Sequence, residues 1–281
     1  MIDVIRTRDE LQLITDRWHS DAMTIAIVPT MGALHDGHVS LVDRATEEAD
    51  RVIVSIFVNA RQFSANEDFG KYPRTETADL ETLAETGAHV VYAPEATEIY
   101  GDGFCTTVTV QGPAKAGLED KVRPHFFDGV ATVVTKLFTQ SRADFALFGE
   151  KDYQQLLVVR RLSEDLDLAT KVIGVPTIRE EDGLARSSRN RYLSRHERHQ
   201  APAIFRSLTQ AAEKIRAGSD IQSATRMAAR SLTTLGFAVD YLTARNALSL
   251  AVPQSRDEPL RLLAAAKLGT TRLIDNIAVD V

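Results

Sequence analysis

Two histidines, His35 and His38, stand three residues apart after an apolar run that ends at Pro29. Residues at this spacing at a helix entrance can face the same side. A neutral imidazole can donate a hydrogen bond to a phosphate oxygen without carrying a permanent charge. Gly32 and Gly37 let the backbone approach a ligand, and the N–H groups of a helix start attract phosphate. The segment predicts a phosphate-binding loop; a zinc pair and a purely structural pair are the alternatives.

A lysine occupies the corresponding place after a second apolar run. Lys151 follows Phe148 and Gly149, where a helical pattern begins. A cation near a helix N-terminus is disfavoured by roughly 0.3–1 kcal/mol unless an anion accompanies it. A bound phosphate would supply that anion; the alternative is a surface lysine, exposed to water or paired with Glu150 or Asp152.

Further along the chain, the stretch Gly183–Asn190 combines hydroxyl, amide and guanidinium groups. These groups suit a polyphosphate, although the same residues also make an ordinary turn before a helix cap at Ser194. Uncharged amides form another group: Asn59 and Gln62 follow a strand pattern, and Gln155 lies one helical turn beyond Lys151. Because amides recognise hydroxyl and carboxylate groups, we expect a small polar acid beside a nucleotide, with surface amides as the alternative.

The elements that must position these residues alternate. Strand patterns cover residues 24–29, 51–58, 89–92 and 144–148, and helical patterns cover 38–48, 76–86 and 153–166. This alternation predicts an α/β fold with a parallel sheet, whose ligands bind beyond the carboxyl ends of the strands. Beyond Pro176, helical patterns over 194–217 and 221–235 precede strand patterns over 239–244, 260–268 and 271–277. We therefore expect one domain over residues 1–177 and a smaller α+β domain over 178–281.

Composition limits the function classes. Hydrophobic residues make up 44% and charged residues 26% of the 281 residues, as in folded globular proteins. The sequence has no apolar run near the ~20 residues of a membrane span. Its first residues lack the basic start and apolar run of a secretory signal, so we do not expect secretion. The single cysteine, Cys105, fits a reducing cytoplasm. The net charge of −6 disfavours nucleic acid and acidic membranes as partners; an RNA-binding role for the Arg186–Arg198 cluster is the alternative.

Taken in order, the segments Pro29–His38, Ser55–Asn59, Gln62–Phe63, Phe148–Gln155 and Gly183–Asn190 resemble the pantothenate synthetase family over nearly the whole chain. The His-x-Gly-His element alone indicates only a wider group of nucleotidyltransferases and class I aminoacyl-tRNA synthetases. The Gly-Glu-Lys-Asp-x-Gln-Gln and Ser-Ser-Arg-Asn elements narrow the resemblance to this family.

The resemblance implies a Rossmann-like N-terminal domain, a smaller C-terminal domain that closes over the nucleotide, and a homodimer. The implied enzyme is a ligase that joins (R)-pantoate to β-alanine with ATP, through pantoyl adenylate, releasing pyrophosphate and AMP. Its product, pantothenate, is a precursor of coenzyme A. Mg²⁺ would accompany the polyphosphate.

The resemblance also implies a set of site residues. The ATP site would contain Met31, Gly32, Ala33, Leu34, His35, Asp36, Gly37, His38, Gly149, Glu150, Lys151, Asp152, Ile178, Arg186, Ser187, Ser188 and Arg189. The expected catalytic residues are His38, as proton donor and phosphate stabiliser, His35 beside it, and Lys151. Gln62, Gln155 and Asn59 would bind substrate: Gln62 and Gln155 hold pantoate, and Gln62 also lies near β-alanine.

The chain departs from the family pattern at two places. Ala60 stands where the family commonly has proline, which predicts a less rigid loop. His125 stands one residue early in the Arg-Pro-x-His-Phe element, so we assign it no role and keep Arg123 as an anion-facing candidate. The rival function is a related adenylyltransferase that keeps the nucleotide on its product. The neutral amides Gln62 and Gln155 argue against it, because a phosphorylated acceptor favours Arg or Lys.

Overall fold

A computed structural model describes residues 2–63 and 68–279 and divides the chain into two compact units. The first unit contains the residues up to Glu150 and Gln154–Pro176. The second contains Lys151–Tyr153 and the residues from Thr177 onward. Lys151 is therefore grouped with the second unit, although it follows the fifth strand of the first in sequence.

The strands and helices follow one another in the order that the sequence patterns suggest, with several additions. The strands are β1 (Asp3–Ile5), β2 (Ile25–Thr30), β3 (Arg51–Ile56), β4 (Val90–Tyr92), β5 (Phe145–Gly149), β6 (Lys171–Val175), β7 (Ala238–Asn246), β8 (Leu260–Leu268) and β9 (Thr271–Val279). The helices are α1 (Arg8–Ser20), α2 (Asp36–Glu48), α3 (Glu76–Ala84), α4 (Ala96–Ile99), α5 (Glu119–Val122), α6 (Phe126–Ser141), α7 (Tyr153–Asp165), α8 (Arg195–Gln200), α9 (Ala203–Arg216) and α10 (Ile221–Thr234).

The first unit is built on a six-stranded parallel sheet in the order β1-β4-β3-β2-β5-β6. The chain moves outward in one direction from β2 through β3 to β4, and then in the other direction through β5 to β6. The strand order thus reverses between β2 and β5, and ligands of such sheets bind at the carboxyl ends of the strands at this point. The predicted α/β fold is confirmed, and the histidine loop leaves the sheet beside this reversal.

The central strands are buried, which explains their continuous apolar sequence. Ile25, Ala26, Ile27 and Val28 of β2 are 0% exposed, as are residues 52–54 of β3. A parallel strand covered by helices on both faces reads as an unbroken run of β-branched and aliphatic residues rather than as an alternation. The sheet is therefore a rigid base for the loops that follow its strands.

The second unit has an antiparallel sheet in the order β7-β8-β9 and a core shared with α9 and α10. The continuous helical pattern predicted over 194–217 is wrong at one point, since α8 ends at Gln200 and α9 begins at Ala203. Pro202 lies between them. Proline has no N–H with which to continue the hydrogen bonds of α8, so the chain starts a new helix.

Among the described residues, six helices and strands have no counterpart in the sequence predictions: β1, α1, α4, α5, α6 and β6. Helix α6 has eleven buried residues among its sixteen, and its valines and threonines fit a strand pattern as well as a helical one. Even so, among the described residues none of the helices is long and apolar enough to cross a membrane.

Candidate active site

The loop between β2 and α2 has an unusual backbone. Gly32 has φ +77° and Ala33 has φ +52°, both in the left-handed region. A residue with a Cβ is strained there by roughly 1–2 kcal/mol, so surrounding contacts must hold Ala33 in place. Thr30 supplies one set of these contacts. Its hydroxyl donates to the Ser55 carbonyl at 2.7 Å and accepts from the Gly32 N–H at 3.2 Å.

Asp79 on α3 supplies most of the remaining support. Its carboxylate accepts hydrogen bonds from the Ala33 N–H at 3.0 Å, the Leu34 N–H at 2.8 Å and the Thr75 hydroxyl at 3.2 Å. The side chain is buried, with 3% exposure. A Cβ on Gly32 would lie 3.0 Å from this carboxylate, which explains the glycine. Asp79 is not among the residues that the sequence pointed to. The only sequence signal for it is an acidic residue on the face of the predicted helix 76–86 that should be buried.

We expect Asp79→Asn to loosen the loop. The amide can no longer accept from both N–H groups, and the lost charged hydrogen bond is worth about 1.5–3 kcal/mol. Urea denaturation should show that loss in the free energy of unfolding, and calorimetry should show weaker ATP binding. Glu81→Gln, the same change on the exposed face of α3, is the matched control. Equal ATP affinity in the two variants would contradict the role of Asp79.

The two histidines share the start of α2. His35 is the N-cap and its Nδ1 accepts from the Gly37 N–H at 3.1 Å, while His38 Nδ1 accepts from the His35 N–H at 3.3 Å. The ring centroids lie 4.1 Å apart. Because both Nδ1 atoms are acceptors, each neutral ring carries its proton on Nε2 and is a hydrogen-bond donor there. Asp36 and Gly37 form the first turn of α2 between them.

The amides after β3 form an ordered group in the same unit. Asn59 is 1% exposed, and its Nδ2 donates to Gln62 Oε1 and to the Gly129 carbonyl, both at 3.1 Å. Its Oδ1 accepts from the Tyr100 hydroxyl at 2.8 Å and the Arg61 N–H at 3.3 Å. Burial raises the pKa of Tyr100 to about 12, so this hydroxyl keeps its proton and donates. The orientation of the Asn59 amide is thereby fixed.

This orientation determines what Gln62 can offer. Its Oε1 is taken by Asn59, and its Nε2 lies 3.2 Å from Met31 Sδ. The amide group is thus brought beside the histidine loop with its donor end toward Met31. Tyr100 had no place among the sequence candidates, because nothing in the local pattern connects it with position 59.

Gly129 on α6 makes this arrangement possible. A Cβ there would lie 2.4 Å from the Arg61 carbonyl oxygen and 2.7 Å from the Gln62 nitrogen. The helix therefore packs directly on the backbone of the 3₁₀ turn Ala60–Gln62. Ala60 begins that turn, which Asn59 caps, so the position that predicted a less rigid loop has a regular hydrogen-bonded conformation.

The candidates that follow β5 have different surroundings. Gly149 ends β5, and a 3₁₀ turn over Glu150–Asp152 precedes α7, so Lys151 lies one turn before the α-helix rather than at its start. Gln155 is half-buried in the first turn of α7. Its neighbour Gln154 is instead bound inside the unit, where it accepts from the Glu119 N–H and donates to the Pro113 carbonyl.

Arg123 and His125 belong to the element that departs from the family pattern. Arg123 pairs with the buried Glu119 at 2.6 Å and stacks on Phe126 at 3.6 Å from the ring centroid. These contacts pack Arg123 against α5 and α6, and its anion-facing role stays a prediction. The His125 side chain is 91% exposed.

In the second unit, the remaining phosphate candidates lie on two segments. Lys151 is partly buried, with 19% of its side chain exposed, and its Nζ lies 3.4 Å from Asp152 Oδ2. Residues 178–186 form a tight hairpin, in which the Arg186 N–H donates to the Ile178 carbonyl at 2.9 Å. The hairpin leads into a 3₁₀ helix over Ser188–Tyr192, where the Ser187 hydroxyl caps the Arg189 N–H at 3.3 Å.

Metal binding by side chains alone has no support in the described ranges. Within residues 2–63 and 68–279, no group of three or more His, Cys, Asp and Glu side chains is arranged to hold a metal ion. The pair His35 and His38 thus has no third ligand of these types among the described residues.

Comparison with known proteins identifies a family whose model matches this chain. The model of the family described as pantoate-beta-alanine ligase matches residues 3–278. Pantothenate synthetase 2 of Bradyrhizobium diazoefficiens is 56% identical over 277 residues, which cover 98% of each chain. Pantothenate synthetase of Rhodopseudomonas palustris strain HaA2 is 54% identical with the same coverage.

Solved structures agree in fold over the full length. The crystal structure of pantothenate synthetase from Thermus thermophilus has a TM-score of 0.94 and 42% identity, with 100% of both chains covered. Pantoate-beta-alanine ligase from Francisella tularensis, complexed with beta-gamma ATP and beta-alanine, has a TM-score of 0.83 and 32% identity. That comparison covers 100% of this chain and 99% of the other.

Proposed function

The chain belongs to the pantoate-beta-alanine ligase family, and from this premise we propose that it condenses (R)-pantoate with β-alanine through pantoyl adenylate. It is an ATP-dependent ligase. A pantoate carboxylate oxygen attacks the α-phosphorus of ATP, and the bond to pyrophosphate breaks. The β-alanine amine then attacks the acyl carbon and loses a proton, and AMP leaves with the electron pair of the broken C–O bond. The product is pantothenate, a precursor of coenzyme A.

The observation that carries the proposal is the pair of Nε2–H donors at the start of α2. His35 and His38 are both held through Nδ1, so the donor atoms are set before a ligand arrives. Donors fixed in advance at the point where charge develops stabilise a transition state without reorganisation. We propose that His38 donates to the phosphate oxygens as pyrophosphate leaves, with His35 beside it and residues 31–37 as the wall of the ATP site.

Lys151 and the residues after the hairpin complete the proposed ATP site. Lys151, Ser187, Ser188 and Arg189 offer the positive charge and hydroxyl groups that a triphosphate needs, and all four belong to the second unit. Gly149, Glu150, Asp152, Ile178 and Arg186 are the further members of this proposed nucleotide site. That the second unit closes over the nucleotide stays a prediction.

Pantoate is the proposed ligand of the amide group. Gln62 presents Nε2 as a donor beside Met31, and such a donor can bind a carboxylate or hydroxyl oxygen. Asn59 fixes that orientation, and Gln155 is the second proposed pantoate ligand. A phosphorylated acceptor, as the rival adenylyltransferase would use, calls for cationic partners rather than these amides. We further propose β-alanine next to Gln62.

Mg²⁺, a homodimer and a cytoplasmic location also belong to the proposal. The described side chains form no cage for a metal ion, and we assign Mg²⁺ no protein ligand. Mg²⁺ commonly binds through substrate phosphates and retained waters, so it would enter with ATP.

We expect the two half-reactions to separate in a test of this function. Pantoate with Mg²⁺ and ATP, but without β-alanine, should release about one equivalent of pyrophosphate per active site and then stall, because the adenylate stays bound. Addition of β-alanine should then release AMP. Rapid-quench measurement of pyrophosphate and AMP gives both amounts. The proposal would be wrong if AMP formed from β-alanine and ATP with pantoate absent.

A further inference from the structure

Two neighbouring residues near the end of the chain contact both polar segments of the second unit. Asp275 and Asn276 lie on β9 and are 5% and 4% exposed. Asp275 accepts two hydrogen bonds from the Arg179 guanidinium, at 2.7 and 2.8 Å. The same guanidinium donates to the Gly183 carbonyl at 3.0 Å. Through Arg179, the carboxylate of Asp275 therefore holds both sides of the hairpin that leads to Ser187.

Asn276 holds the other segment. Its Nδ2 donates to the main-chain carbonyl of Lys151 at 2.8 Å, and its Oδ1 accepts from Arg261 Nε at 2.7 Å. With a donor partner on one side and an acceptor partner on the other, the amide can take only one orientation. The Asn276 N–H also donates to Asp275 Oδ1 at 2.7 Å, so the two side chains are coupled.

Arg261 also contacts Tyr153, the first residue of α7. Its guanidinium lies 4.1 Å from the ring centroid of Tyr153, and the Tyr153 hydroxyl donates to the Ala247 carbonyl at 2.9 Å. The short segment 151–153 is thus held at its first residue by Asn276 and at its last residue by Arg261. Both of these partners come from the three-stranded sheet.

We propose that Asp275 and Asn276 are positioning residues that set the two phosphate-binding segments, Lys151 and Ser187–Arg189, in one arrangement. The proposal rests on the function proposed above, which gives these segments the triphosphate. In this arrangement the antiparallel sheet is the base on which the cationic part of the site is built. The Asp275 carboxylate acts on Ser187–Arg189, and the Asn276 amide acts on Lys151.

A purely stabilising role explains these contacts less well. Burying a charge or an amide requires partners for every polar atom, and apolar residues of similar volume often give equal or greater stability. The polar groups at positions 275 and 276 are therefore better explained by their placing of the segments that they contact. Misplacement of a reacting group by about 1 Å can lower a rate about 10²-fold, so a tether on the Lys151 backbone has a measurable effect.

The test uses Asn276→Asp in the full-length protein. This change keeps the size of the side chain and the contact with Arg261, but places a carboxylate oxygen against the Lys151 carbonyl. Leu273→Ala is the control, because Leu273 is a buried core residue of the same strand and its loss weakens the sheet without touching residue 151. Both variants are measured for pyrophosphate release with pantoate and ATP, corrected for the folded fraction.

Asn276→Asp should lower kcat for pyrophosphate release about 10–100-fold while KM for pantoate stays at its wild-type value. Hydrogen exchange should become faster in residues 151–153 of this variant but not of Leu273→Ala. Arg179→Lys, which keeps the charge but loses the paired geometry, should instead raise KM for ATP. A kcat for Asn276→Asp equal to that of Leu273→Ala, or unchanged exchange at residues 151–153, would overturn the proposal.

The exchange measurement also separates this proposal from the proposed function. If wild-type protein released no pyrophosphate with pantoate and ATP, the proposed function would fail. The tether would then still be judged by exchange, since that readout needs no reaction. Should Asn276→Asp fail to fold, Asn276→Ser, which can accept from Arg261 without opposing the carbonyl, takes its place with the same two readouts.

Discussion

His38→Ala should slow adenylate formation by roughly 10²–10⁴, the scale on which a positioned proton donor acts. His38 contributes an Nε2–H that the His35 N–H holds in place through Nδ1. Charge on the phosphates grows as pyrophosphate leaves, so the lost hydrogen bond matters most in the transition state. ATP affinity, measured by calorimetry, should change much less than the single-turnover rate of pyrophosphate release.

A second substitution, His38→Asn, tests the Nε2–H donor separately from the Nδ1 acceptor. Asn places its side-chain oxygen near the place of Nδ1, so His38→Asn can keep the bond from the His35 N–H but has no donor at Nε2. We expect His38→Asn to be as slow as His38→Ala, and His125→Ala, at an exposed side chain, to be as fast as wild type. Recovery of the rate in His38→Asn would show that residue 38 serves only to cap the helix.

Lys151→Ala should lower the rate of pyrophosphate release by about 10²–10³, because a fixed cation that meets developing phosphate charge contributes on this scale. The Lys151 backbone is held by Asn276, and 19% of the side chain is exposed. A lysine placed in this way can reach a ligand with little loss of conformational freedom. The measurement is the single-turnover rate with pantoate and ATP at saturation.

Two variants separate charge from packing. Lys151→Met keeps an unbranched apolar chain and loses only the ammonium group, so it should be as slow as Lys151→Ala. Lys267→Ala removes an exposed lysine of β8 in the same unit and should leave the rate unchanged. A normal rate in Lys151→Met would return Lys151 to the class of surface lysines paired with a neighbouring carboxylate.

Much of the fold follows from local sequence because its signals are local. The buried strand before Pro29, the glycines of the loop and the polar start of α2 lie within about fifteen residues, so the strand-loop-helix order can be predicted from short-range rules. The same rules place His35 and His38 together. Helix α6 is the converse case: valines and threonines in a buried helix carry a pattern that fits a strand equally well.

The supports of the site could not be predicted, because each joins residues that are far apart in the chain. Asp79 reaches Ala33 across 46 positions, and Asn276 reaches Lys151 across 125. Tyr100 reaches Asn59 across 41. Composition and periodicity carry no information on such pairs, since a buried acid or amide on one element has no fixed spacing to its partner. Local sequence therefore predicts the candidate reactive groups, whereas the residues that orient them come together only in the tertiary fold.

The close packing at Gly129 also limits how the proposed pantoate site could be redesigned for larger hydroxy acids. Adding even one methyl group at that position would press on the Arg61 carbonyl, 2.4 Å away, and push the Asn59–Gln62 turn outward. Directed-evolution libraries for the proposed pantoate site should therefore leave codon 129 unchanged. Substitutions that make room for a bulkier acid should be sought at side chains around the Asn59–Gln62 turn, while α6 and Gly129 are left unchanged.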